Sequence, residues 1–197
     1  MTEGVHPASG DALLIVDVQN DFCPGGALPI DNGDQVVSVI NRWIETFIQQ
    51  GLPVYASRDW HPRDHLSFAT EGGLWPPHCI QDTPGAAFHP ELKLPVSAVI
   101  VTKGVRFDQD QNSAFDQTGL ETHLRRKRIV RLFVAGLALD VCVLATVMDA
   151  RRADLEVLLI LEGTRPVTES GGTAALDRMQ EAGVSVLDDR SDHGPAG

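Results

Sequence analysis

Six short apolar runs recur along the chain with helix-type patterns between them, and this rhythm restricts the fold more than any other feature. The runs are 12–18 (ALLIVDV), 53–58 (PVYASR), 97–102 (SAVIVT), 129–135 (IVRLFVA), 155–161 (LEVLLIL) and 184–187 (VSVL). Their length and composition fit strands. The first helix between them is the clearest: Val36, Val37, Ile40, Ile44, Phe47 and Ile48 share a face, Gly51 ends it and Pro53 prevents its return. Further helices are expected over 116–127, 140–152 and 169–182. Strands alternating with helices mean βαβ units and a mostly parallel sheet covered on both faces. The expectation is an α/β protein with one domain over 1–197, its ends 1–10 and 189–197 being mobile tails. Ligands of such sheets bind beyond the carboxyl ends of the strands.

Two stretches break the rhythm. Residues 59–95 lack a clean period and are rich in His, Pro, Gly and Trp. So long an irregular segment is usually functional when it is ordered, and Trp60, Phe68, Trp75 and Phe88 argue for order. Residues 104–115 form a polar loop after the third strand.

The formal net charge of -11 argues against a nucleic-acid partner, because no basic face is available to displace counterions. The basic run Arg125-Arg126-Lys127-Arg128 falls late on a helix, where it complements the helix dipole. No stretch is apolar enough to span a membrane and the first residues do not resemble a signal peptide, so a cytoplasmic protein is expected. Three cysteines, at 23, 79 and 142, make neither a disulfide framework nor a Cys-x-x-Cys zinc pattern, which fits a reducing compartment.

The strand ends carry the chemistry. Asp17 follows the first strand, Asp59-Trp60-His61 the second, Lys103-Gly104 the third and Gly136 to Cys142 the fourth. In a parallel sheet these ends lie along one edge. Cys142 opens a helix, where the dipole and a nearby Lys lower a thiol's pKa, and Asp140 is placed to cap that helix. A lone Cys within LDVCVLATVMDA is also a plausible packing residue; the case for a nucleophile rests on Asp17, Lys103 and Cys142 occurring together. With Asp17 as general base and Lys103 stabilising charge, the trio suits acyl transfer through a thioester. Backbone N–H groups around Ala138 and Cys142 are the natural oxyanion donors.

A second set is Asp59, His61, His65 and His78. Asp59 and His61 are alternate residues at a strand end and can share a face. Pro62 suits the first turn of a short helix that would bring His61 and His65 together. Histidine and carboxylate without thiolate fit a divalent metal: zinc, iron or manganese. Cys23 and Cys79 can ligate in principle but are not needed, and His6, His89, His123 and His193 lie outside the pattern.

The chain resembles the nicotinamidase/pyrazinamidase branch of the isochorismatase-like cysteine hydrolases. The matching stretches are VDVQNDFCPGG (16–26), SRDWHPRDHLSF (57–68), WPPHC (75–79), GAAFHPEL (85–92), VTKG (101–104) and GLALDVCV (136–143). The resemblance implies a Rossmann-like three-layer sandwich with a six-stranded mostly parallel sheet. It implies metal-dependent hydrolysis of nicotinamide, and of pyrazinamide, to the acid and ammonia, a step of NAD salvage. The alternative is a related amidohydrolase acting on another small amide. By position Asp17, Lys103 and Cys142 match the catalytic triad. Asp59, His61 and His78 match metal ligands, His65 a more variable fourth, with zinc the leading metal. Phe22 and Trp75 match residues that sandwich the substrate ring, with Gln19 and Asn112 as polar neighbours. The Leu137–Ala138 peptide matches a cis bond, and the family's metal binds the pyridine nitrogen. The chain departs from the family at Asn112, where a Tyr is common, at Leu139, where a Thr is common, and at Val141, often aromatic or His. These departures bear on substrate range. Partners are otherwise unspecified: a monomer or a homo-oligomer both fit.

Overall fold

The structure, a computed structural model, describes residues 5–188. The expected tail 189–197 lies outside the described residues, as do residues 1–4 of the other. Ala8 and Gly10 hydrogen-bond to Asp11 and Val130 beside the sheet.

Strand β1 (Asp11–Val16) is buried along its whole length, as the apolar run Ala12–Val16 requires of a strand covered on both faces, and its buried first residue, Asp11, is paired with Arg131. It pairs in parallel with β2 (Val54–Asp59) on one side and β4 (Arg131–Leu137) on the other. Strands β3 (Val99–Lys103), β5 (Glu156–Arg165) and β6 (Ser185–Leu187) complete a six-stranded sheet of order β3-β2-β1-β4-β5-β6. All five pairings are parallel. The order reverses between β1 and β4, the switch point at which such sheets open a crevice.

Alternation along β1 divides the core. Leu13 and Ile15 face helix α1 (Val36–Gln49) with Val37, Ile40, Ile44 and Phe47. Ala12, Leu14 and Val16 face the opposite cluster, which draws on α2 (Leu120–Arg126), α3 (Leu144–Arg152) and α4 (Glu169–Glu181). The result is the three-layer α/β sandwich.

Boundaries differ from expectation where local chemistry is hidden from periodicity. Ile48 is 49% exposed, because it falls at the rim of the apolar stripe in the last turn of α1. Helix α2 starts four residues late: Gln117 and Gly119 both have positive φ, so helical hydrogen bonding begins only beyond them. Strand β5 continues through Glu162-Gly163-Thr164-Arg165 because its register against β4 shifts between Val134 and Gly136. Before α3 the chain makes a π-helical turn, Leu139–Val143. The irregular 59–95 segment is tied down by isolated bridges from His61 to Ile80 and Phe68 to Trp75, with Phe68 fully buried.

Candidate active site

Four strand ends deliver the polar cluster. Asp17 follows β1 in a left-handed conformation (φ +48°) and is fully buried. Asp/Asn tolerate that conformation better than most residues. Asp59 ends β2 opposite Lys103, which ends β3. The Lys103 stem passes β2 to reach residues of the two central strands. Its Nζ lies 2.7 Å from Asp17 Oδ2, 2.6 Å from Asp59 Oδ1 and 3.5 Å from Cys142 Sγ. Ser57 Oγ donates to Asp17 Oδ1 at 2.7 Å. The Asp17, Asp59 and Cys142 side-chain atoms lie within 4.8 Å of one another. The structure therefore brings Asp17, Lys103 and Cys142 together.

Electrostatics in this buried cluster follow from burial and one cation. Burial depresses a lysine, but Asp17, Asp59 and Cys142 beside Lys103 more than reverse that and hold it charged. Burial raises Asp59, yet Lys103 and His61 outweigh it and keep the carboxyl well below the usual carboxylate range. Asp17 goes the other way: burial raises it against the pull of Lys103, and the neighbouring Asp59 adds to the rise. Burial likewise pushes the Cys142 thiol well up, with Lys103 only partly opposing. The expected acidified thiol is thus corrected: desolvation exceeds the benefit of the helix start and the lysine. Asp140 does not cap its own helix either. Its carboxylate accepts the N–H groups of Val167 (2.8 Å) and Thr168 (3.2 Å) at the entry to α4.

The second set assembles beside the first. Asp59, His61 and His78 offer ligand atoms within 4.8 Å of one another. His61 Nδ1 lies 2.9 Å from the Gly104 carbonyl and His78 Nδ1 2.7 Å from the Pro76 carbonyl. A carbonyl only accepts, so both Nδ1 atoms carry the proton and both Nε2 lone pairs are left for a ligand. Burial holds His78 and His65 below the usual histidine range, which keeps them neutral. His65 stands outside the three-residue set. Its ring lies 4.2 Å from that of His61, its Nδ1 meets Ser67 Oγ at 2.7 Å, and its buried Nε2 has no partner. A turn closed by the His65 N–H on the Pro62 carbonyl brings the two rings together, in place of the expected helix. Two imidazoles whose Nδ1 atoms are held by carbonyls, a low-pKa carboxylate and, beside them, an orphaned buried nitrogen on His65 fit a divalent metal.

One cavity joins the sets. Cys142, Asp59, His61 and His78 line it together with Phe22, Trp75, Ala138 and Asn112. Asn112 Oδ1 is 4.0 Å from Cys142 Sγ. The Leu137–Ala138 peptide is cis. Val141 also lines the cavity, whereas Leu139 is buried in the core. Gln19, which the resemblance places among the substrate's polar neighbours, does not line this cavity; its buried amide braces Asp59 at the end of β2. Its Nε2 donates to the Asp59 and Ala86 carbonyls, both at 2.8 Å, and its Oε1 accepts the Asp59 N–H at 2.8 Å. Ser57 and Gly104 also serve the site, and residue type alone marks neither. Ser57 was legible, being two residues before Asp59 on the same strand face. At Gly104 (φ +68°) a Cβ would stand 2.5 Å from His61 Cε1, so only glycine leaves that ring its place.

A crevice at the switch point of a Rossmann-like sheet, reached by the Cys142 thiol with Asp17 and Lys103 buried behind it, defines an α/β protein of the cysteine-hydrolase kind. Residues 11–191 match the Isochorismatase domain. The chain is 41% identical over 198 residues to the nicotinamidase of Escherichia coli (strain K12), spanning 89% of this chain and 93% of that protein. The crystal structure of pyrazinamidase of Pyrococcus horikoshii in complex with zinc superposes with a TM-score of 0.88 at 38% identity, over 91% of this chain and 99% of that one. PnC1 from L. infantum in complex with nicotinate gives 0.87 at 36% identity, over 95% and 97%. The protein belongs to the isochorismatase-like family of hydrolases, on its nicotinamidase/pyrazinamidase branch.

Proposed function

We propose that this protein hydrolyses nicotinamide to nicotinate and ammonia through a Cys142 thioester, accepts pyrazinamide as well, and holds a divalent cation, zinc first, at Asp59, His61 and His78. The observation that supports this most is the shared cavity: one space is lined by a thiol, a histidine–carboxylate ligand set and the flat rings of Phe22 and Trp75. A planar, uncharged aromatic amide with a ring nitrogen meets all three. A bound cation would supply a Lewis-acid docking point for that nitrogen.

The chain's own groups account for the chemistry. Asp17 takes the thiol proton as Cys142 Sγ forms a bond to the carboxamide carbon, and the carbonyl pair moves to oxygen. The N–H groups of Ala138 and Cys142 receive that oxyanion. Asp17 then gives its proton to nitrogen as the C–N bond breaks and ammonia leaves. Water, losing a proton to Asp17, attacks the thioester, and the C–S bond breaks with the proton returned to sulfur. A raised Asp17 suits a group that must both take and return a proton. Lys103 stays charged throughout and offsets the anionic states.

The reaction would return pyridine rings to NAD synthesis. Three unpaired thiols suit the cytoplasm as its setting. The exposed Asn112, whose side chain stands beside the thiol, favours a second reading: a wider or different small-amide range. A substrate panel decides between them. Nicotinate and ammonia in equal amounts, with aliphatic amides turned over more slowly, is the expected result; faster turnover of an aliphatic amide supports the second reading.

A further inference from the structure

Asp21 reads in the sequence as a turn residue, yet its carboxylate ties together two segments far apart in the chain. Its Oδ2 accepts the Cys79 N–H at 2.7 Å, its Oδ1 accepts the Ala27 N–H at 3.1 Å, and its own carbonyl accepts the Leu28 N–H at 2.9 Å. The 20–30 segment supplies Phe22 and Leu28 to the cavity; the WPPHC segment supplies Trp75 and His78. Cys79 is the critical joint. It is held at φ +45°, a conformation a non-glycine residue keeps only under constraint, and its carbonyl accepts the His61 N–H at 2.9 Å. The Cys79 backbone thus stands between His78 and His61, and a carboxylate hydrogen bond of the strong, charge-assisted kind pins it. Glycines make room for the clamp. A Cβ on Gly85 would lie 2.2 Å from Asp21 Oδ2, and one on Gly26 2.5 Å from the Asp21 Cα. Asp21 itself does not line the cavity.

We propose that Asp21 is a positioning residue that sets His78 against both His61 and the Phe22 wall, so that grip on the metal and grip on the substrate ring are fixed by one clamp. This rests on the metal-and-ring reading of the cavity. Three variants test it: Asp21→Ala, Asp21→Asn and Gly85→Ala, each checked for folding by circular dichroism. Zinc affinity of the metal-free proteins is measured by chelator competition, and nicotinamide kinetics at saturating zinc. Asp21→Ala should bind zinc about 10–100-fold more weakly, the usual range for loss of a group that orients a ligand. Its KM should rise while kcat falls far less. Asp21→Asn keeps one acceptor for the Cys79 N–H and should fall between. Gly85→Ala keeps the charge but displaces it, and should also weaken zinc. Wild-type zinc affinity in Asp21→Ala and Gly85→Ala overturns the proposal, as does a loss confined to kcat. Should Asp21→Ala fail to fold, the other two decide by the same affinity ratio. A wild-type protein that binds zinc but leaves nicotinamide intact removes the substrate assignment, while the zinc comparison still tests Asp21. A wild type that binds no zinc overturns both.

Discussion

Lys103 places one positive charge among two carboxylates and a thiol, fully shielded from water. Replacing it with Met leaves buried acids without a counter-charge, an error that typically costs about 3–5 kcal/mol. Urea denaturation of Lys103→Met should show a loss of that order together with lost activity; wild-type stability would mean the carboxylates are neutral without the lysine. The histidines give a second test. Burial holds His65 and His78 below the usual value, so in the metal-free protein the unfolded chain takes up their protons first as pH falls through about 6.5. The unfolded state then binds more protons, and stability falls on acidification. Measured as the difference from His78→Gln, which cancels the other titrating groups, wild-type stability should decline relative to the variant between about pH 7 and the folded value; a difference independent of pH contradicts the assignment. At this scale the sequence showed which residue types gather but not their protonation. Cys142 looks acidified from its place before a helix, and only the fully buried surroundings reverse that.

Elements set how closely these groups meet. Gly136 has φ +127°, and a Cβ there would lie 2.0 Å from the Val16 carbonyl oxygen and 2.6 Å from its nitrogen. Those are backbone atoms of the central strand, which cannot yield without parting β1 from β4. Gly136→Ala should therefore cost at least the about 1–3 kcal/mol of ordinary overpacking, read as a fall in the urea midpoint. A variant as stable as wild type would show that the two strands separate freely. The strands and α1 were legible because apolar periodicity is a direct imprint of burial. The late start of α2, the polar extension of β5 and the π-helical turn were not, since each depends on backbone φ or on a register shift that side-chain pattern does not record. Asp140 illustrates the same limit: it precedes one helix in the sequence and bonds the entry to another.

Across the whole molecule, the sheet order turns four separate strand ends into one site. Asp17 and Cys142 flank the switch between β1 and β4, while Asp59 and Lys103 reach inward from β2 and β3. Convergence along one edge was readable from the rhythm of strands and helices. Distances were not, nor that His65 would stand outside the three ligand atoms, nor that Gln19 would brace Asp59 rather than face the cavity. The histidine geometry follows from turns in the 59–95 segment, which carries no period to read. The overall acidity, a formal net charge of -11, suits a neutral amide better than an anionic one. If thiol and metal act in one reaction, ammonia release from nicotinamide depends on both. The assay compares wild type, Cys142→Ala, and wild type after chelation and again after zinc is restored. Turnover in the wild type, its loss in the other two and its return with zinc are the predicted results. A wild type inactive with added zinc, iron or manganese, or one that keeps full activity after chelation, contradicts the account.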